Sequence, residues 1–167
     1  VRLTPLNVRL HETAENAPLP FIGKRFDLVI NRHESYEPRE VYRVLKPGGC
    51  FITQQVGGLD NLEINQVLEE QISYPFINCS LARHLTSLYE AGFIIERAKK
   101  AALTSVFKDI GAVVYYLKAI PWQVPGFNIE THAVGLTHLH NILEKQGEFV
   151  ATAHRFLIMA VKKKGEG

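Results

Sequence analysis

The sequence has few cysteines, and it shows no pattern typical of a membrane span or an export signal. Only two of its 167 residues are cysteine, and the separation of Cys50 and Cys79 matches neither a zinc site nor a redox motif. No apolar run is long enough to predict a membrane span, and no signal peptide pattern is present. These absences exclude a disulfide scaffold and favour a reduced, cytoplasmic protein with no membrane partner.

The sequence also has no large excess of positive or negative charge. The formal net charge is +2 at pH 7, and the densest basic cluster is the run from Lys162 to Lys164. Nucleic acid is therefore not indicated as a partner, because a nucleic-acid surface needs a broader basic face. The chain contains no Gly-x-Gly-x-x-Gly fingerprint and no Gly-x-Ser-x-Gly elbow. A nicotinamide-dependent oxidoreductase then has only the fold class in its favour, and a hydrolase has no support.

What the sequence does contain is an alternation of short apolar runs with amphipathic segments. The near-continuous apolar run at 26–31 predicts a strand that is covered on both faces. Early alternation of strands and helices in a chain of this length predicts one α/β domain with a mostly parallel sheet. The predicted strands are 8–11, 26–31, 50–56, 93–99 and 155–161, and the predicted helices are 37–45, 60–72, 80–90, 109–120 and 130–145.

Turn and capping residues support several of these bounds. Pro38 suits the first turn of its helix, and the run from Lys46 to Gly49 predicts a turn that ends it. Asp60 and Glu63 have the spacing of a capping box. Gly147 is expected to end the helix at 130–145.

Three short motifs follow one another between residues 17 and 55. They are Leu19-Pro20-Phe21 in a loop, Phe26-Asp27-Leu28-Val29 in a strand, and Leu45-Lys46-Pro47-Gly48-Gly49 before the next strand. In this order and spacing they resemble the middle of the class I methyltransferases that use S-adenosylmethionine. The segment His154–Ala160 resembles the last, antiparallel strand of the same family. The resemblance runs from the family's third strand to its last, and it implies a Rossmann-like, doubly wound sheet.

The first strands of that family have no counterpart in the sequence. In the family, a glycine-rich turn after the first strand packs against the methionine part of the cofactor, and an acidic residue after the second binds the ribose. Residues 1–6 resemble the end of the following helix. The resemblance therefore implies a single domain over 1–167 that lacks its amino-terminal part, an incomplete sheet, and impaired binding of S-adenosylmethionine by this chain alone. An uncovered sheet edge also favours either a homodimer that covers it or a rearranged sheet.

A polar loop follows the strand at 26–31, at the end of the strand where open α/β sheets bind ligands. The resemblance implies that Asn31 and Arg32 face the cofactor and that His33 or Glu34 takes a proton from the acceptor. Alternatively, the loop only caps the next helix, with Glu34 and Glu37 near its positive end. Many methyl transfers need alignment of the reactants and no base.

A second group of candidates, Glu12, Thr13 and Ala14, follows the predicted strand 8–11. The resemblance implies that the adenine of the cofactor lies there. Glu15-Asn16 competes for the same role, and a solvated loop is the alternative. Gln54 and Gln55 end the strand at 50–56 and point to opposite faces, so one of the two is expected to reach the site.

Two further clusters have ordinary alternatives. His132, His138 and His140 suggest a metal site, but residues two apart on a helix do not share a face and no further ligands are evident, so we expect none. An aromatic group between 115 and 127 would suit an acceptor pocket or a packed core equally well. Its members are Tyr115, Tyr116, Trp122 and Phe127.

Together these observations predict methyl transfer from S-adenosylmethionine to an unidentified acceptor in the intact form, with this chain inactive or impaired alone. The transfer would be an in-line displacement assisted by alignment and exclusion of water. The alternative is a non-enzymatic oligomerisation or binding module that kept a methyltransferase scaffold.

Overall fold

The computed structural model describes residues 8–14, 17–69 and 75–164. The described residues form four strands and five helices, in alternation typical of an α/β fold. In chain order these are β1 (Phe26–Arg32), α1 (Pro38–Val44), β2 (Leu45–Val56), α2 (Leu62–Leu68), α3 (Leu81–Glu90), β3 (Phe93–Phe107), α4 (Ile110–Ala119), α5 (Ala133–Gln146) and β4 (Phe149–Lys162). The segment 1–6 and the predicted end of the second helix at Ile72 lie outside the described residues.

The strands form one mixed sheet in the order β1-β2-β4-β3. The segments entering β1 and β2 run parallel, since Lys24 N donates to Arg43 O and Arg25 N to Val44 O. After β2, Gly57 N donates to His154 O and Asn61 N donates to Thr152 O, so the residue numbers rise on one side and fall on the other. The last strand is therefore antiparallel to β2, which confirms the predicted fold class.

The chain divides into two compact units. The first contains residues 1–53, 85–97 and 158–167, and the second contains 54–84 and 98–157. The core of the first unit is made of apolar side chains from α1, β2, α3, the start of β3 and the end of β4. Its fully buried members include Val44, Leu45, Phe51, Leu88 and Ile158.

A buried lysine holds the end of α1 in the first unit. Lys162 Nζ donates to the carbonyl oxygens of Tyr42 at 2.6 Å and Leu45 at 2.9 Å. The ammonium also lies 4.4 Å from the centre of the Tyr42 ring. Burial lowers the pKa of Lys162, with nearby Lys24 adding to the effect. The side chain thus satisfies carbonyls that the end of a helix leaves unpaired.

The second unit has a core of its own, built mainly by α2, α4 and α5. Its buried side chains include Ile64, Val113, Leu117, Leu139 and Leu143. The spacing of these residues along their helices is the three-to-four residue repeat that places apolar groups on one face.

Four predictions about the elements are wrong. Residues 8–11 are irregular, and the expected turn at Lys46–Gly49 lies inside β2, where Gly48 has a φ of 79°. The strand β1 is not covered on both faces, because Leu28 is 47% exposed and Ile30 69% exposed.

The fourth concerns the capping box at the start of α2. The N-cap is Asn61 in the left-handed region, with no side-chain cap bond. Asp60 accepts instead from His154 N and pairs with Arg155, and Glu63 accepts from Thr152. Both carboxylates therefore bind the neighbouring strand β4 rather than the helix.

Candidate functional site

A cavity of about 670 Å³ lies in the first unit at the carboxyl end of β1. This is the end of a strand at which open α/β sheets bind ligands. The lining comes from the loop before β1, from β1 itself, from the loop and helix that follow, and from β2. It consists of Thr13, Ala14, Ala17, Leu19, Val29, Ile30, Asn31, Glu34, Ser35, Tyr36, Glu37, Glu40, Val41 and Phe51.

An ion pair on α1 holds the loop that forms one wall of the cavity. Arg43 donates to the Glu40 carboxylate and also to Leu19 O at 3.0 Å and Phe21 O at 2.8 Å. Glu40 Oε2 accepts from Leu19 N at 2.9 Å. The hydrogen bond from Arg43 lowers the pKa of Glu40 although burial opposes it. The Leu19-Pro20-Phe21 motif is therefore fixed to α1 by its backbone.

The floor of the cavity is held by contacts between β2 and the end of β1. Thr53 is fully buried, and its Oγ1 donates to Asn31 Oδ1 at 2.8 Å. The ring of Tyr36 packs edge-on against Phe51, with 4.9 Å between the ring centres. These contacts fix the orientation of Asn31 and of the loop that follows it.

Four of the residues predicted from the sequence meet in this cavity. They are Thr13, Ala14, Asn31 and Glu34. Glu12, Arg32 and His33 do not line it, and all three are exposed. His33 has a φ of 60°, so its backbone makes the sharp turn after β1.

The other sequence candidates have separate environments. Gln55 is buried in β2, and neither Gln54 nor Gln55 lines the cavity. Glu37 caps α1, since its Oε1 accepts from Arg39 N at 3.1 Å. Of the two glutamates considered as caps for this helix, Glu37 therefore has that role.

The histidine and aromatic groups singled out in the sequence are not among the residues that line the cavity beside β1. No three His, Cys, Asp or Glu side chains among the described residues are grouped as metal ligands. Tyr116 and Phe127 pack against the core of the second unit, whereas Tyr115 is exposed and Trp122 partly so. The described helices include none with the length and apolar character needed to cross a bilayer.

Sequence reasoning missed Glu40, Tyr36 and Thr53. Glu40 and Arg43 carry a signal, because opposite charges three apart on a helix are neighbours. The signal does not say which loop the pair would hold. Nothing local in the sequence marks Thr53 as the partner of Asn31, since 22 residues separate the two.

No family model and no curated protein matches the chain, but several solved structures do. A candidate methyltransferase from Bacillus halodurans is 19% identical over 87% of this chain and 68% of its own, with a TM-score of 0.56. The YcgJ protein from Bacillus subtilis is 18% identical over 88% and 68%, with a TM-score of 0.55.

A SAM-dependent methyltransferase from Methanosarcina mazei is 15% identical over 87% of this chain and 63% of its own, with a TM-score of 0.47. That score is too low to support an argument. The chain spans 68% of the length of each of the two Bacillus structures and about half of the length of several other structures that it matches. Identities below 20% establish a fold and nothing finer, and the fold of this chain is methyltransferase-like.

Proposed function

We propose that this chain contributes to methyl transfer from S-adenosylmethionine, and that the cavity beside β1 receives the nucleoside part of that cofactor. The observation that carries the proposal is the position of the cavity, at the carboxyl end of β1 in a methyltransferase-like sheet. The volume of about 670 Å³ lies in the range of small-molecule sites.

The cavity lining is compatible with such a cofactor. Leu19 and Val41 offer apolar surface on which an adenine ring can pack, while Asn31 and Glu34 carry oxygen atoms that accept hydrogen bonds from hydroxyl and amino groups. When bound, the cofactor would supply a methyl group on a positively charged sulfur. The carboxylates of the lining favour a cation over an anion.

The chain's own residues would then bind and orient the cofactor and hold a proton. Glu34 is the proposed proton acceptor, because it lines the cavity and His33 does not. The acceptor of the methyl group stays unidentified. We expect the affinity of this chain for the cofactor to be weak, since the described residues that line the cavity include no glycine to bring backbone N–H groups close to a ligand.

The test is a titration of the full chain with S-adenosylhomocysteine, followed in two-dimensional amide NMR spectra. We expect shifts confined to the segments 13–14, 17–19, 29–37 and 40–41 and to Phe51, with a dissociation constant weaker than micromolar. Ala14→Trp, at an exposed position of the lining, should weaken binding severalfold. The matched change Ala119→Trp, on the exposed end of α4, should not.

Each result has a clear reading. Chemical-shift changes only at residues outside the cavity would exclude the proposed site, and so would equal binding by both tryptophan variants. A micromolar dissociation constant would instead contradict the expected impairment of this chain.

A second candidate function is favoured by the exposed edge of the sheet. Leu28 and Ile30 lie on β1, which ends the strand order, and both side chains are exposed. A module that retained a methyltransferase scaffold and pairs through this edge with a second copy of itself would bury them. Such a protein would form dimers and would give no cavity shifts with S-adenosylhomocysteine.

A further inference from the structure

We propose that the second unit carries its own binding site, for a small amphiphile with a carboxylate head and an apolar body. A cavity of about 510 Å³ lies in this unit. Its lining comes from α2 and the preceding loop, from the middle of β3 and from the start of β4. The lining residues are Leu59, Leu62, Glu63, Gln66, Lys100, Ala101, Ala102, Thr152 and His154.

Apolar side chains make up the surface on which the body of the ligand would lie. Leu59 is more than half exposed, and Ala101 and Ala102 are exposed on β3. Leu62 adds a half-buried side chain beside them. Covering these groups with an alkyl chain removes apolar surface from water, which is the main favourable contribution to binding such a ligand.

Lys100 supplies the charge that selects an anion. Among the described residues its ammonium group has no ion-pair or hydrogen-bond partner, whereas Lys108 on the following loop pairs with Glu148. An unpaired ammonium beside apolar surface is suited to a carboxylate head group.

The negative charge in the lining is already engaged. Glu63 Oε1 accepts from Thr152 Oγ1 at 2.6 Å, and Oε2 accepts from Thr152 N at 3.1 Å. Burial tends to raise the pKa of Glu63, but these hydrogen bonds outweigh it and the pKa is lowered. Glu63 thus stays charged and bound to β4, so the carboxylate of a ligand would lie towards Lys100 and away from Glu63.

His154 provides a second polar group in a fixed position. Its Nδ1 is buried and has no hydrogen-bond partner among the residues that the structure describes, and its ring packs so closely on Gly57 that a Cβ at that position would overlap it. Asp60 Oδ1 accepts from its backbone N at 2.7 Å. In the tautomer that leaves Nδ1 unprotonated, the other ring nitrogen, Nε2, can donate to a carboxylate.

The test is calorimetric titration of the full chain with octanoate, with octanol and octylammonium as neutral and cationic counterparts. We expect saturable binding of octanoate at one site, and much weaker binding of the other two. Lys100→Gln should weaken octanoate binding about tenfold or more, as expected for loss of a charged hydrogen-bond partner. Lys99→Gln, at the exposed neighbouring position outside the lining, should leave it unchanged.

A second pair of variants tests the cavity itself. Ala102→Trp, on the same face of β3 as Lys100, fills it and should abolish binding, while Ala98→Trp lies on the same exposed strand outside the lining and should have no effect. Circular dichroism confirms that each variant is folded. Equal binding of octanol and octanoate, equal effects of the two lysine changes, or saturable binding in Ala102→Trp would each overturn the proposal. None of these results depends on binding of S-adenosylhomocysteine to the first unit.

Discussion

Gln123 joins the loop that follows α4 to α2 and to the loop that precedes α2. It is almost fully buried in the second unit, and its Nε2 donates to Asp60 O at 2.9 Å and to Asn65 Oδ1 at 2.7 Å. Asn65 Nδ2 in turn donates to Gln123 O at 2.6 Å. Buried amides of this kind are stabilising only when they are paired, so each partner constrains the others.

His84 is the residue from which we expect a measurable pH dependence of stability. It contacts Cys79 Sγ through Nε2 at 3.6 Å and packs against Phe156, with 5.0 Å between the ring centres. Burial lowers the pKa of His84, and the charge of Arg83 adds to the effect. The unfolded chain therefore binds a proton more readily than the folded one as the pH falls from neutrality.

The free energy of unfolding should accordingly fall as the pH is lowered from about 7.5 to about 5.5, through the usual titration range of histidine. In His84→Gln the fall should be smaller, as measured by urea unfolding at both pH values. Arg83→Gln should move the NMR titration midpoint of His84 upwards by a small amount. An equal pH slope in the parent chain and in His84→Gln would contradict this origin.

The individual residues of the candidate site were only partly predictable from the sequence. Asn31 and Glu34 were found because polar residues after a buried strand lie at the ligand-binding end of the sheet. His33 was included by the same rule, yet its left-handed backbone turns the chain and its side chain does not line the cavity. A rule based on position along the chain does not give the direction of a side chain in a sharp turn.

Among the elements, the contact between α2 and α5 depends on a glycine. A Cβ added at Gly135 would lie 2.8 Å from Leu68 Cα and 2.9 Å from Val67 O. Both are backbone atoms, so they cannot move aside as a flexible side chain would. The two helices therefore pack at a separation that only glycine permits.

Gly135→Ala should destabilise the chain by about 1–3 kcal/mol, the usual cost of overpacking, although alanine is the better helix former. Chemical denaturation measures the change. Val134→Ala is the matched control, because Val134 is fully exposed on the same helix and its replacement should be neutral or slightly stabilising. A Gly135→Ala variant as stable as the parent would contradict the close contact.

Elements with strong local signals were predicted well. Asp109 caps α4 by accepting from Ala112 N, and α5 ends at Gly147 with a φ of 78°. The failures have non-local causes. Asp60 and Glu63 bind β4 instead of capping α2, and the short run at 8–11 has no strand partner among the described residues.

For the whole molecule, the main feature is the edge of the sheet at β1, beside which the described part of the chain places no further strand. Antiparallel pairing of β1 with a second copy, centred on Val29, places Leu28 opposite Ile30 of that copy and Phe26 opposite Arg32. Directly opposed side chains lie close enough to pack, and apolar and aromatic–cation pairs are favourable there. Two copies would thereby bury four apolar side chains that one copy leaves exposed.

We therefore expect the chain to dimerise through β1, as measured by light scattering after size exclusion over a dilution series. Leu28→Lys should shift it to the monomer, because a lysine on an edge strand opposes pairing and two such charges would meet near the twofold axis. Leu28 does not line the cavity of the first unit, so the change spares that site. Val134→Lys places the same charge on an exposed valine of α5 and should leave the dimer intact. A monomeric parent chain at all concentrations, or a dimer that survives Leu28→Lys, would mean that β1 does not pair with a second copy.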